Sequence, residues 1–379
     1  MMIEIFLLLF ITFLLLNYIH FLADITIGLK NLLVTSDEII LDEFVSVIVP
    51  FRNESDNILL SLNSIASQNY PKEKYEVIYV NDSSNDDSYE KIHNAPKPRN
   101  FKVISSSEYS KNKAFKKKAI SFGIEHSHGE IIVTTDADCI HNTNWLRKLI
   151  SNFDLTTGLV SGPVSFVHQK SIFSKLQTLE FAGLVLSGAG LIGIGKPTIC
   201  SGANLAFRKS VYNELHGYND QMHLSSGEDE LFMQKIAAET DYSVKFCWAK
   251  DSVVFTQPNK NIRDFFQQRR RWSSKGLFYE NKLLIIRLIL IYMFYLSITA
   301  QVLLTILFSK LFLISLIFCL ILKFVLEYKI ISKGIDYLFK HYLMKYFLIT
   351  EVFQIIYLTL AGVSGIFGNF KWKDRKLSR

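Results

Sequence analysis

Two aspartates one residue apart, Asp136 and Asp138, close the apolar run Glu130-Ile-Ile-Val-Thr-Thr135. At that spacing a turn can present both carboxylates to one side, and paired hard oxygens suit Mg²⁺ or Mn²⁺ bridging a diphosphate. An arbitrary Asp-x-Asp is more often a solvated turn that caps a helix, so the weight here comes from the buried-type strand before it. A second acidic cluster, Gly227-Glu228-Asp229-Glu230, precedes a helical pattern over 231–238. One carboxylate can cap that helix and the others favour its dipole. Three acids after a glycine also offer a base able to take a proton from an acceptor hydroxyl. Gln268-Arg-Arg-Arg271-Trp272 sets three cations and an indole just before a long apolar run. Composition alone reads this as a basic patch on anionic lipid; arginine forks also bind diphosphates, and an indole can cover a sugar or an acyl chain. Lys116-Lys117-Lys118 reads first as a solvated helix face.

Other chemistries find little footing. Gly190 to Lys196 fits GxxxxGK, but Pro197 stands where a P-loop needs a hydroxyl, and no strand precedes it. His126-Ser-His128 reads as a turn between helix and strand, and there is no HExxH. Cys139, Cys200, Cys247 and Cys319 are far apart with no CxxC pair, which argues against a disulfide framework and a zinc site. The net charge of +7 comes without a basic block interleaved with aromatics, so nucleic acid is not an expected partner.

The elements that must hold these residues follow from periodicity. Val45–Val49, Tyr75–Val80, Phe101–Ile104 and Glu130–Thr135 are short β-branched or apolar runs. Helical spacing appears over about 54–68 and 113–126, so strands alternate with helices. That order predicts an α/β layer with a mostly parallel sheet and a ligand crevice beyond the carboxyl ends of its strands. Acidic clusters end the second and fourth strands: Asn81-Asp82-Ser83-Ser84-Asn85-Asp86-Asp87, and Asp136-Ala137-Asp138. Trp145, seven residues after Asp138, is expected to pack beneath that loop.

Of the 379 residues 49% are hydrophobic and only 20% charged, with the apolar ones concentrated before about 30 and after about 283. Ile3–Leu22 is long enough to cross a ~30 Å hydrocarbon core and lacks the basic start and small-residue site of a cleaved signal. Lys30 on its C-terminal flank places the following domain in the cytoplasm by the positive-inside rule. Further apolar runs cover 283–308, 311–326 and 346–367. Basic residues flank the last run on both sides, so it is expected to be re-entrant, with Glu351 and Gln354 kept wet. Ile172–Ile194, interrupted by Lys175 and Glu180, has two readings, a helix on the membrane surface and a core helix.

Taken in order, these pieces resemble a membrane-bound family 2 glycosyltransferase, over roughly Val45 to Trp272 and the flanking helices. The matching residues are Val47-Ile-Val-Pro50-Phe-Arg52-Asn53-Glu54, Val80-Asn81-Asp82-Ser83-Ser84-Asn85-Asp86, Lys117-Lys118-Ala119, Thr135-Asp136-Ala137-Asp138, Ser201-Gly202-Ala203-Asn204, Glu228-Asp229, and Gln268 to Trp272 as QxxRW. The resemblance implies a GT-A fold, a nucleotide-diphospho-sugar transferase layer of Rossmann-like, mostly parallel sheet, with transmembrane helices at both ends. It divides the chain into an anchor at 1–30, a cytoplasmic catalytic domain at 41–282, membrane helices at 283–370 and a basic tail at 371–379.

Roles follow from the same resemblance. Pro50, Arg52, Glu54 and Asp82 would form the pocket for base and ribose, with Asn81, Lys117, Asn204 and Gln268 also on the nucleotide sugar. Asp138 and Asp136 would bind the diphosphate through Mn²⁺ or Mg²⁺. Asp229, paired with Glu228, would be the general base, and Arg271 and Trp272 would grip the leaving diphosphate and line the acceptor entry. Where the family carries two acids in its second motif this chain has Asn81, which loosens the expectation of a UDP-linked donor. The implied activity is inverting, metal-dependent transfer of a sugar to a lipid-linked or other glycan acceptor in the cell envelope, without a covalent enzyme intermediate. It would take place at the cytoplasmic face of the inner membrane, among membrane lipids. A processive polysaccharide synthase and a non-catalytic nucleotide-sugar-binding subunit are the alternatives.

Overall fold

Val45-Ser-Val-Ile-Val-Pro-Phe51 and Tyr75-Glu-Val-Ile-Tyr-Val-Asn81 lie side by side with every residue buried, as near-continuous apolar strands do when both faces of a parallel sheet are covered. The computed structural model of the chain describes residues 1–32, 43–106, 115–222, 224, 227–366, 370–372 and 375–377. Residues 41 and 42 at the start of the expected domain, 113 and 114 of the basic helix, 367 of the last apolar run, and 373, 374, 378 and 379 of the tail lie outside the described residues.

The strands are β1 (Val45–Phe51), β2 (Tyr75–Asn81), β3 (Phe101–Ser105), β4 (Ile131–Thr134), β5 (Ile140–His141), β6 (Thr157–Ser161), β7 (Val164–Phe166), β8 (Leu205–Arg208), β9 (Ser243–Phe246), β10 (Val254–Thr256), and β11 (Phe370–Trp372) and β12 (Arg375–Leu377), which pair with each other apart from the two larger sheets. The helices are α1 (Met2–Leu32), α2 (Ile58–Ala66), α3 (Ser88–Asn94), α4 (Phe115–Glu125), α5 (Trp145–Ile150), α6 (Ile172–Gly193), α7 (Lys209–Glu214), α8 (Glu230–Glu239), α9 (Ile262–Ser273), α10 (Lys282–Leu307), α11 (Leu311–Leu338) and α12 (Phe347–Ile366).

The main sheet runs β3-β2-β1-β4-β8-β6-β9. Its pairs are parallel at β3/β2, β2/β1, β1/β4 and β6/β9 and antiparallel on both sides of β8. The expected α/β layer is therefore present, with one reversed strand that the local pattern does not announce. β10 pairs with β5 and β7 in a second, three-stranded sheet. Gly123 lets α4 sit close on β1 and β2, because a Cβ there would come within 2.6 Å of Ile48 Cγ2.

The chain forms two compact units. One comprises Gly28–Val167, Ser187–Pro258 and Lys371–Arg379, and carries both sheets; the other comprises Met1–Ile27, His168–Leu186 and Asn259–Phe370. α9 and most of α6, which the sequence reading counted with the soluble domain, thus group with the long apolar helices. Five helical stretches among the described residues are long and apolar enough to cross a membrane: Met2–Leu32, Ile172–Gly193, Lys282–Leu307, Leu311–Leu338 and His341–Gly362. Of the two readings of α6 the core helix fits better, since 67% of its most apolar stretch is buried inside the protein against 22–39% in the other four.

α12 is one continuous helix, and Glu351 on it is 1% exposed. The expectation that Glu351 and Gln354 stay wet is corrected by their partners. Lys323 of α11, fully buried, pairs with Glu351, lies 2.9 Å from Glu327 and donates to Gln354 Oε1 at 3.0 Å. Tyr18 of α1 donates to Glu327, and Tyr295 of α10 donates to Gln354 Oε1 at 3.2 Å. Four long apolar helices thereby share one polar centre. Removing its cation alone would leave two buried carboxylates facing each other, so Lys323→Met should cost about 3–5 kcal/mol. Adding Glu327→Gln and Glu351→Gln to that variant should recover most of the loss, and thermal unfolding in detergent measures both effects.

Candidate active site

β4 delivers Asp136 and Asp138 just past its carboxyl end, where Cys139 N donates to Asp136 O at 3.1 Å and closes the turn. Two buried threonines moor the strand end: Thr134 Oγ1 donates to Gly202 O at 2.8 Å, and Thr135 Oγ1 lies 2.8 Å from His141 Nε2. His141 Nδ1 reaches Ser64 Oγ at 2.9 Å, so the imidazole bridges α2 to the acidic turn. Burial pushes its pKa down to about 3. Trp145 packs below as expected, its ring 4.2 Å from His141, and its Nε1 donates to Asn204 Oδ1 at 2.9 Å.

Lys116 joins the two acidic motifs. Its Nζ lies 2.7 Å from Asp136 Oδ1 and 3.3 Å from Glu228 Oε1. Burial lowers the pKa of this ammonium, but Asp136, Glu228 and Asp229 outweigh burial and hold it above the ordinary lysine value, so it stays charged at neutral pH. Asp229 caps α8: its Oδ1 accepts from Glu230 N at 2.8 Å and its Oδ2 from Gly202 N at 3.0 Å. The capping role considered for the second cluster is thus met by Asp229, and the cap bond fixes the orientation of a carboxylate whose charge reaches Lys116. Asp138 Oδ2 accepts from Thr256 Oγ1 of β10 at 2.9 Å.

The loops that follow β1 and β2 interlock. Pro50 sits opposite Val80 in the sheet, and Arg52 Nη1 donates to Asp82 O at 2.9 Å and to Ser83 O. Asn53 and Ser83 both adopt left-handed backbone (φ 52° and 54°), with Asn53 Oδ1 accepting from Asn85 N at 3.0 Å. Glu54 accepts from Asn57 Nδ2 at 3.0 Å, Asn81 Oδ1 accepts from Ser84 N at 2.9 Å, and Glu54, Asn81 and Asp82 are all buried.

Two sequence-derived site residues stand elsewhere. Lys117 is buried with its Nζ donating to Leu224 O at 2.9 Å, so neither the solvated helix face nor a hand on the donor describes it. The lysine turned to the carboxylates is Lys116, which the sequence analysis read as part of a solvated helix face. Asn204 is fully buried, and its Nδ2 donates to Pro163 O and Ser252 O, both at 2.8 Å. With its Oδ1 on Trp145, this amide braces the site from below. Gln268, Arg271 and Trp272 fall at i, i+3 and i+4 on one face of α9, in the unit of membrane helices.

The donor set admits a hard divalent cation. Asp136 and Asp138 supply two carboxylates, and no group of three or more His, Cys, Asp or Glu side chains able to hold a metal occurs among the described residues. Mn²⁺ and Mg²⁺ are commonly held this way, through one or two carboxylates completed by phosphate oxygens and water.

Residues 46–215 match the family model described as glycosyl transferase family 2, and residues 131–353 that described as glycosyl transferase family group 2. Glycosyltransferase AglE of Haloferax volcanii is 31% identical over 205 residues, 54% of this chain and 64% of the relative. Poly-beta-1,6-N-acetyl-D-glucosamine synthase of Staphylococcus epidermidis is 29% identical over 247 residues, 62% of this chain and 55% of the relative. The match thus spans less than two thirds of either relative. The structure of mannosyltransferase PcManGT from Pyrobaculum calidifontis, in complex with GDP-Man and Mn²⁺, covers 95% of this chain and 99% of its own with a TM-score of 0.57 at 20% identity, a likeness of fold.

The buried imidazole makes a pH prediction. A histidine whose folded pKa lies near 3, below its ordinary value near 6.5, lends stability above pH 6.5 and loses it as pH falls toward 3. Wild-type stability should therefore fall by about 1.4 kcal/mol per pH unit from this group below pH 6.5. His141→Gln should lower stability at pH 7 and flatten that slope, both read from unfolding curves across pH 4–7.

Proposed function

The chain belongs to glycosyl transferase family group 2, and on that premise we propose that it is a glycosyltransferase that moves a sugar from a nucleotide-diphosphate donor to a lipid-linked or membrane-associated acceptor, with inversion. The observation that carries this reading is the convergence of Asp136, Glu228 and Asp229 on Lys116 past the carboxyl end of β4, beside the Asp138 carboxylate. Such a site needs charge stabilisation at a departing diphosphate and one base at the entering hydroxyl.

Asp229 accepts the proton of the acceptor hydroxyl as its oxygen bonds to the anomeric carbon, and the bond from that carbon to the diphosphate oxygen breaks with its electron pair on the diphosphate. The backbone donors of Gly202 and Glu230 hold Asp229 in place for this. Asp136 and Asp138 would hold Mn²⁺ or Mg²⁺, which when bound supplies positive charge beside the phosphates. Lys116 adds a permanent charge on the same side. The interlocked loops carrying Arg52, Glu54, Asn81 and Asp82 form the wall for base and ribose, and Gln268, Arg271 and Trp272 serve the diphosphate and the acceptor. Lys30 after α1 supports a cytoplasmic catalytic unit on the inner membrane.

A processive synthase is the second reading, favoured by the likeness to poly-beta-1,6-N-acetyl-D-glucosamine synthase. The test incubates nanodisc-embedded protein with a panel of nucleotide sugars, Mn²⁺ and membrane lipid extract, and reads released nucleoside diphosphate and product mass. One donor should give release and a single added sugar, while a ladder of masses would favour the synthase. Asp229→Asn should lower turnover by roughly 10²–10⁴-fold with donor binding kept. Release that persists undiminished in Asp229→Asn would contradict the role given to this base.

A further inference from the structure

Within α9 the middle residues of the QxxRW motif are both arginine, and the first of them turns inward. Arg269 is 4% exposed, and its guanidinium grips Glu180 of α6, 0% exposed, with Nε donating to Oε1 at 3.3 Å and Nη2 donating to Oε2. Tyr357 of α12 donates its hydroxyl to the same Glu180 Oε1. The guanidinium also meets the motif itself: Nη1 donates to Gln268 Oε1 at 2.7 Å, and the cation lies 4.3 Å from the Trp272 ring centre, and 4.4 Å from that of Phe265. Trp272 in turn leans on Phe181, with ring centres 5.8 Å apart. Gln268 Oε1 also accepts from Asn259 Nδ2 at 2.9 Å, and Asn259 is tied to Gln177 of α6.

A buried ion pair is a poor device for stability alone, since apolar residues of equal volume often do as well or better. Its distinctive yield is fixed geometry: a planar fork that meets a carboxylate in one orientation cannot slide as a packed leucine can. Here the fork also touches two of the three side chains the proposed function uses. We propose that Arg269, held by Glu180 and Tyr357, is a positioning residue that sets Gln268 and Trp272 for sugar transfer and ties their orientation to helices α6 and α12. This inference rests on the proposed reading of QxxRW.

Arg269→Lys keeps the charge and removes the fork. In nanodiscs it should fold and lower kcat on the order of 10-fold or more with a smaller change in donor KM, the cost of misplacing groups that serve the departing diphosphate and the acceptor. Glu180→Gln should show the same split, and Tyr357→Phe, which deletes one hydroxyl and keeps the ring packed, a smaller loss of the same kind. Tyr357→Phe carries the test if the other variants do not fold. A second readout needs no donor: acrylamide quenching of Trp272, isolated as the difference from Trp272→Phe, should rise in Arg269→Lys. Unchanged Trp272 quenching in a folded variant would overturn the proposal whatever the activity, and so would a kcat within twofold of wild type. A wild-type protein inactive with every donor, but with Trp272 quenching altered in Arg269→Lys, would instead tell against the proposed function and leave the positioning geometry standing.

Discussion

Lys116 between Asp136 and Glu228 is the contact on which the site depends. Four carboxylates cluster at Asp136, Asp138, Glu228 and Asp229, and carboxylates brought together repel unless positive charge stands among them. A single ammonium, held charged by the acids around it, lets the turn after β4 and the N-terminus of α8 approach. The caps and moorings follow from that approach. Gly202 bonds to Asp229 from one side and to Thr134 from the other, so strand end, loop and helix start are one hydrogen-bonded assembly.

The long apolar helices face the same problem among apolar neighbours. Lys323 with Glu327 and Glu351, and Arg269 with Glu180, bury their charges in pairs because an unpaired charge among apolar helices costs far more than a satisfied one. Each pair draws partners from several helices, with tyrosine hydroxyls completing the shell.

Much of this was legible in the residues. The alternation of β1, α2, β2 and α4, the acidic ends of β2 and β4, and the run of motifs announced a GT-A layer, and the likeness to the mannosyltransferase structure agrees with that fold. The reversed strand β8 was not legible, because Leu205–Arg208 looks locally like any buried strand and its direction is set by partners distant in sequence. Lys117 was singled out over Lys116 because neighbours in a basic run differ only by about 100° of helix rotation, which motif matching does not weigh. Asn204 read as a ligand because a buried amide and a binding amide look alike until Pro163, Ser252 and Trp145 are seen to take all its bonds. Glu351 read as a wet residue because its partner Lys323 lies on another helix, 28 residues away.

The most direct measurement of the central claim is equilibrium binding of nucleoside diphosphates to the purified protein, with Mn²⁺ and with chelator, in wild type, Asp138→Asn and Lys116→Gln. An acidic seat completed by a cation predicts binding that needs Mn²⁺, weakens by about tenfold or more in Asp138→Asn, and weakens in Lys116→Gln through the loss of a charge-assisted contact. Equal affinity with and without chelator, unchanged by either substitution, would contradict it and place the diphosphate elsewhere.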